Sequence, residues 1–123
     1  MDAVVVFPVY ALADDRSMFL VESPARVFYH IEPIDIENKE YLFWDADGRG
    51  VRISLKGETV HAIEHTDNDL SLQEAFKLYS EAYGLSTDTT GPIAEVWGRL
   101  QEAEAALQKP ASLWSRLLRM LTK

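Results

Sequence analysis

The sequence contains no cysteine, which excludes disulfide bonds, thiolate metal sites and cysteine nucleophiles. It also lacks the G-x-S-x-G elbow, the P-loop and the G-x-G-x-x-G fingerprint, so no nucleophile or nucleotide motif is present. The apolar stretch at residues 3–13 is too short to span a bilayer. We therefore predict no cofactor, no metal and no catalytic residue. Enzymatic activity stays open, and a non-enzymatic role is favoured.

Acidic side chains are in excess, and they are unevenly placed. The 123 residues carry a formal net charge of −8, with 7 Lys+Arg against 17 Asp+Glu in residues 1–91 and 5 against 3 in residues 92–123. An acidic body disfavours binding to nucleic acid phosphates and to anionic lipid, and it could steer a basic partner. A generic acidic surface is the alternative. With 47% hydrophobic residues, the chain is typical of one globular domain, and we predict a cytoplasmic location.

The N-terminal third predicts two strands and a short helix. Residues 3–13 resemble a signal peptide in length, but Asp2 and Pro8 disfavour that interpretation, and their Val and aromatic content predicts a strand. A turn then leads to a second strand at residues 18–22. Ser23-Pro24 is typical of a helix start, and Pro33 should end that helix, although a strand at residues 26–31 competes. Residues 34–39 are predicted to be a connector.

The centre of the chain predicts a three-strand meander. Residues 41–44 are aromatic-rich, and residues 51–56 alternate apolar with polar side chains, as in a half-buried strand. The Asp- and Gly-rich residues 45–50 between them predict a turn. Their spacing does not fit a calcium loop of the EF-hand type, because a cation stands where that loop needs an oxygen ligand. A further strand is predicted from Thr59 to about His65.

The C-terminal part predicts helices. Ser71 and Glu74 match a capping box, and Gly84 should end that helix. Pro92 opens a long helix predicted to end before Pro110, and an amphipathic helix follows from residue 112. The predicted fold is α+β, with an antiparallel sheet of about five strands, a short helix after the second strand, and C-terminal helices over one face. Residues 1–109 are predicted to form the domain, with residues 110–123 appended to it.

Histidines and carboxylates give little support for catalysis. His61 and His65 lie four residues apart on a predicted strand, roughly 13 Å, which is too far to share one zinc ion. Asp45 and Asp47 occupy a turn tip beside Arg49, where desolvation should not raise a pKa. A hydrolase that pairs an acid with His30, His61 or His65 is the least favoured alternative.

Two surfaces are predicted to bind partners. The first combines the acids before and within the central turn with neighbouring aromatic anchors: Glu32, Asp35, Glu37, Glu40, Tyr41, Trp44, Asp45 and Asp47. A solvated connector is the alternative for these acids. The second is the apolar and basic face of the C-terminal helix: Trp114, Arg116, Leu117, Leu118, Arg119 and Leu121. That helix could instead pack on its own domain, and a membrane interface is disfavoured by the acidic body.

The residues from Ile31 to Tyr41, followed by Trp44 to Arg49, resemble small bacterial domains with the core EPIDxENxEY…WDAxGR. No activity is established for those domains, so the resemblance implies no residue roles. In size and acidity the chain also resembles the small α+β immunity proteins that neutralise bacterial toxins. The leading hypothesis is therefore a protein-binding module of immunity type with a basic partner. The alternative is an oligomer or assembly protein acting through its C-terminal helix.

Overall fold

The computed structural model describes residues 4–29, 31–37 and 40–121, without the side chains of Glu37 and of residues 108–121. Its elements follow one another in this order: β1 Val9–Ala13, β2 Met18–Val21, a 3₁₀ helix Pro24–Tyr29, α1 Pro33–Glu37, β3 Tyr41–Trp44, β4 Gly50–Lys56, β5 Thr59–His65, α2 Leu72–Ala82 and α3 Ile93–Leu121. The five strands form one antiparallel sheet in the order β2-β1-β3-β4-β5. The predicted α+β class and five-strand sheet are confirmed.

Helices cover both faces of the sheet around β1, and this explains why β1 is apolar at every position. Tyr10 and Leu12 point to the face covered by α2 and α3, where Phe76, Val96 and Leu100 complete the cluster. Val9 and Ala11 point to the opposite face, over which the 3₁₀ helix and α1 are packed. A strand that is buried on both faces reads as a continuous apolar run. The C-terminal helices cover one face, as predicted, whereas the sequence did not indicate which face the short helix would cover.

Prolines account for most differences between the predicted and observed elements. β1 starts at Val9, and residues 4–8 of the predicted strand lie outside it, because Pro8 has no N–H to donate to a strand ladder; Ala3 is outside the described residues. The helical interpretation after Ser23-Pro24 is confirmed as a 3₁₀ helix. Pro33 opens α1 instead of ending a helix, so the predicted connector was wrong at residues 34–37. Proline suits a first helical position, where no N–H is needed.

The two C-terminal helices start where the sequence places them. The Ser71 hydroxyl accepts from the Glu74 N–H, and the Glu74 carboxylate accepts from the Ser71 N–H, so the capping box is confirmed. Gly84 adopts φ 63° after α2, the left-handed conformation expected of a helix stop. Between α2 and α3, the Tyr79 hydroxyl donates to the Glu104 carboxylate. This last bond ties α3 to α2.

α3 is a single helix of 29 residues, so the predicted break at Pro110 was wrong. A proline inside a helix removes one backbone hydrogen bond, and strong helix formers on both sides can continue the helix past it. Leucine, alanine and glutamine surround this position. The separation of residues 110–123 from the domain stays a prediction.

Gly50 and Gly98 should respond in opposite ways to the same substitution. A Cβ at position 50 would lie 2.4 Å from the backbone oxygen of Thr66, whereas a Cβ at position 98, within α3, meets nothing within 4 Å. Gly50→Ala is therefore expected to lower the free energy of unfolding by about 1–3 kcal/mol. Gly98→Ala should raise it by about 0.5–1 kcal/mol, because alanine favours the helix. Urea unfolding measures both changes, and a stabilised Gly50→Ala protein would contradict the close approach of β4 to Thr66.

Candidate functional site

Asp45 directly follows β3 and accepts hydrogen bonds from three separate parts of the chain. Its side chain is fully buried. The Oδ1 atom accepts from the N–H groups of Asp47 and Arg49, each at 3.0 Å, and the Oδ2 atom accepts from the Val6 N–H at 3.3 Å and from His65 Nε2 at 2.8 Å. The carboxylate thus joins the N-terminal segment, the β3–β4 turn and the end of β5. We name these bonds the Asp45 network.

The Asp45 network keeps the carboxylate ionised. Burial alone would raise the pKa of Asp45, but the hydrogen bonds from His65 and from the N–H groups of Arg49, Val6 and Asp47 outweigh it and lower that pKa. Because an ionised carboxylate only accepts, the His65 Nε2 atom must carry the hydrogen of their shared bond. The sequence predicted a solvated turn tip here, and the burial of Asp45 corrects that prediction.

The pairing of His65 with Asp45 matches one feature of the hydrolase alternative, a histidine against an acid with a shifted pKa. Neither residue lines the acidic pocket or the cleft between β3 and β4 described below, however. His61 is exposed on β5, and His30 lies outside the described residues. Across the described ranges, no three His, Asp or Glu side chains are grouped so as to hold a metal ion. The pair's evident role is structural.

Trp44 is the second predicted binding residue that the structure places in the interior. Only 1% of its surface is exposed, and its Nε1–H donates to the carbonyl of Leu70 at 3.0 Å. It belongs to the cluster between the sheet and α2–α3. Its predicted role as an aromatic anchor on the surface was therefore wrong. An aromatic run at the start of a hairpin does not show which of its members faces the core.

Four acids and a tyrosine meet at the opposite end of β3 from Asp45, in a pocket of about 440 Å³. Asp14 and Asp15 come from the β1–β2 turn, Asp35 from α1, and Glu40 and Tyr41 from the start of β3. We call this set the acidic pocket. Of the residues predicted from sequence, it brings together Asp35, Glu40 and Tyr41.

The remaining predicted acids lie elsewhere. Glu32 is exposed before α1, Asp47 is exposed in the β3–β4 turn, and the side chain of Glu37 is outside the described set. Asp14 and Asp15 were missed because their place depends on strand order. β1 pairs with β3 as well as with β2. Because Ala13 at the end of β1 pairs with Tyr41, the β1–β2 turn that follows Ala13 lies beside the tyrosine.

The charges of the acidic pocket repel one another. The pKa of Glu40 is raised, first by its side-chain hydrogen bond to Asp35, then by desolvation and by the nearby charges of Asp35 and Asp14. The pKa of Tyr41 is raised by burial and by the same acids, so its phenol stays neutral. Asp15 is held in place by its bonds from the hydroxyl and N–H of Ser17, which lower its pKa. A bound cation would relieve this repulsion.

An aromatic row supports the acidic pocket. The rings of Phe19 and Tyr41 meet edge to face with centroids 5.7 Å apart, and the ring of Phe43 follows at 6.0 Å from that of Tyr41. Phe19 and Tyr41 also line the pocket. Carboxylates beside an aromatic wall suit an ammonium or guanidinium group with an apolar stem. The arrangement can therefore bind a lysine or arginine side chain.

The predicted C-terminal docking residues lie on α3, but their side chains are outside the described set. Docking through Trp114, Leu117, Leu118, Leu121, Arg116 and Arg119 accordingly stays a prediction. None of the helices in the described part of the chain has the length and apolar character needed to cross a membrane.

Comparisons with protein-family models, with curated proteins and with solved structures give no match to this chain. The resemblance to the EPIDxENxEY…WDAxGR domains stays a prediction. Function is therefore inferred from the residues of the chain itself.

Proposed function

We propose that the protein is a non-enzymatic binding module whose acidic pocket captures a lysine or arginine on a basic protein partner. The observation that carries this proposal is the convergence of Asp14, Asp15, Asp35 and Glu40 around Tyr41. These acids come from two parts of the chain, residues 14–15 and residues 35–40, that are distant in sequence. The proposal keeps the acidic and aromatic surface predicted from sequence, but moves its centre from Trp44 and Asp45 to the β1–β2 turn.

Two electrostatic effects support a basic partner. The net charge of −8 gives the body a negative field that accelerates the approach of a basic protein. Within the pocket, Asp35 raises the pKa of Glu40, first through their side-chain hydrogen bond and further through its charge, and a partner's cation would offset that charge. Long-range attraction and local binding therefore favour the same class of partner. An immunity-type role, in which the partner is a basic toxin, belongs to this proposal.

Matched baits test the proposal by affinity capture from a lysate of the source cell at low salt. The pocket variant is Asp14→Asn/Asp35→Asn/Glu40→Gln, and it leaves Asp15 to hold the turn. The control variant is Glu58→Gln/Glu81→Gln/Glu102→Gln, which neutralises three exposed acids elsewhere. Each variant changes the formal net charge from −8 to −5, so only the position of the lost charges differs.

We expect a basic protein that the wild type and the control variant retain and that a salt step releases. The pocket variant should retain at least about fivefold less of it, if three exposed or half-exposed charge contacts of up to about 1 kcal/mol each are lost. Equal capture by the two variants would show that net charge alone, not the acidic pocket, holds the partner, and would contradict the proposal.

A further inference from the structure

β3 and β4 pair only beside the turn that joins them. Their register contains two pairs, Phe43↔Val51 and Trp44↔Gly50. β4 nevertheless continues to Lys56, and on its other side Val51 to Lys56 pair with β5, with one register shift between Ser54 and Leu55. The sheet is thus divided into a β2-β1-β3 part and a β4-β5 part that diverge beyond Val51.

The backbone of β4 faces this opening at alternate residues. The Gly50 carbonyl accepts from the Thr66 N–H on the β5 side, so residues 50, 52 and 54 direct their N–H and C=O groups to β5. Ile53 and Leu55 must then direct theirs to the β3 side, where no described strand pairs with them. At the closed end, the Asn68 side-chain amide donates to the Phe43 carbonyl at 2.8 Å, so a donor from outside the sheet already serves the facing strand β3.

A cleft of about 650 Å³ lies between the diverging strands. Its apolar lining includes Ile36 of α1, Phe43 of β3 and Ile53 of β4, while Asp67 and Asp69 are exposed at its rim. Arg52 also lines the cleft, but its guanidinium is 2.7 Å from the Glu64 carboxylate, which balances its charge. The cleft therefore offers a strand edge that no described strand covers, an apolar floor and an acidic rim.

We infer that this cleft accepts an extended basic segment of a protein partner, which adds as a strand along β4. Strand addition matches backbone groups with backbone groups, and alternate side chains then point to the floor and to the rim. Apolar residues of the segment meet Ile36 and Ile53, and its lysine or arginine residues meet Asp67 and Asp69. This inference rests on the proposed function, because Tyr41 lines both the cleft and the acidic pocket, so one basic partner can contact both.

A capped peptide of alternating lysine and valine, six residues long, is the probe. It is titrated into the ¹⁵N-labelled full chain, with amide hydrogen exchange recorded free and bound. We expect changes in the amide chemical shifts of Ile53 and Leu55, and at least tenfold slower hydrogen exchange of their N–H groups in the bound state. A peptide of the same sequence with N-methylated backbone should lose this protection, because its methyl groups remove the donors for the Ile53 and Leu55 carbonyls and hold the segment away from the β4 N–H groups. Asp67→Asn/Asp69→Asn should weaken binding about fivefold, and the matched Glu58→Gln/Glu81→Gln variant less than twofold.

The outcomes separate this inference from the proposed function. Strand addition would be overturned if the amide chemical shifts changed only at Asp14, Asp35 and Glu40, with those of Ile53 and Leu55 unchanged. The acidic pocket would then be the binding site. Equal binding by the N-methylated peptide would overturn it too, since charge without backbone pairing would then suffice. Protection at Ile53 that persists in the pocket variant supports strand addition even if the acidic pocket fails its own test.

Discussion

Trp44→Ala is expected to lower the free energy of unfolding by about 4 kcal/mol, the largest effect of any single substitution considered in this protein. The side chain is almost fully buried between the sheet and α2–α3, and its removal leaves a large cavity as well as an unpaired Leu70 carbonyl. Trp44→Phe keeps most of the volume and should cost about 1–2 kcal/mol, largely for the lost hydrogen bond. Urea unfolding followed by circular dichroism measures both.

Leu42→Ala is the matched control, because Leu42 lies on the same strand and face but is 37% exposed. We expect Leu42→Ala to lower the free energy of unfolding by less than about 1 kcal/mol. If Trp44→Ala unfolded no more easily than Leu42→Ala, the burial of Trp44 would be wrong and its role as a surface anchor would be open again. Should the Trp44→Ala protein fail to fold, the smaller step to phenylalanine still gives a measurable difference.

Asp45→Ala is expected to lower the free energy of unfolding by about 3 kcal/mol. The substitution leaves the N–H groups of Val6, Asp47 and Arg49 and the Nε2 atom of His65 without their acceptor. Groups that lose a buried charged partner bear the full cost of desolvation. The same unfolding experiment measures this loss.

The pH dependence gives the Asp45 network a distinct signature. The pKa of Asp45 is lowered in the folded chain, so its carboxylate contributes stability above the ordinary pKa of 3.8 and loses it as the pH falls through the lowered value. The stability gap between the wild type and Asp45→Asn should therefore be constant above about pH 5 and narrow below pH 4. A gap that stayed constant down to pH 2 would contradict this account of Asp45.

Asp47→Asn is the control for both measurements. Asp47 belongs to the same turn but its side chain is exposed. We expect a change within about 0.5 kcal/mol at every pH. A loss equal to that of Asp45→Ala would place the effect in the turn as a whole and not in the buried carboxylate.

Short sequence patterns predict much of the fold. The alternation from Val51 to Leu55 predicted β4, and the capping box of Ser71 and Glu74 predicted the start of α2. Each pattern acts over a few neighbouring residues, so it can be recognised without knowing the rest of the structure. Proline is the exception, because the same residue can end a helix, open one as Pro33 does, or be carried within one as at Pro110. Its outcome depends on the residues that surround it.

The candidate site required information that local patterns do not contain. Asp45 looked like a solvated turn residue because its partners Val6 and His65 are 39 and 20 positions away. Asp14 and Asp15 reach Tyr41 only because β1 pairs with β3, a connection across the whole 3₁₀ helix and α1. The identity of these residues as acids was visible, but their environment was set by the sheet order.

The acidic residues have two different roles: Asp45 stabilises the fold, and the acids of the acidic pocket are proposed to bind a partner. Asp45 is buried and ionised, and its bonds hold the N-terminal segment, a turn and β5 together. The acids of the acidic pocket lie where the solvent and a partner can reach them, around a half-buried Tyr41. Substitutions in the first group should therefore change stability, and substitutions in the second should change binding while leaving stability nearly unaltered.

The salt dependence of the association rate tests the central claim most directly. The captured partner is mixed with the wild type, the pocket variant and the control variant by stopped flow between 0.1 and 1 M NaCl, over which the screening length falls from about 10 Å to about 3 Å. For the wild type we predict a fall in rate of at least about tenfold, and for the pocket variant a lower rate at 0.1 M with a much shallower fall. An association rate that salt leaves unchanged, or that the pocket variant shares with the control variant, would contradict capture of a basic partner by the acidic pocket.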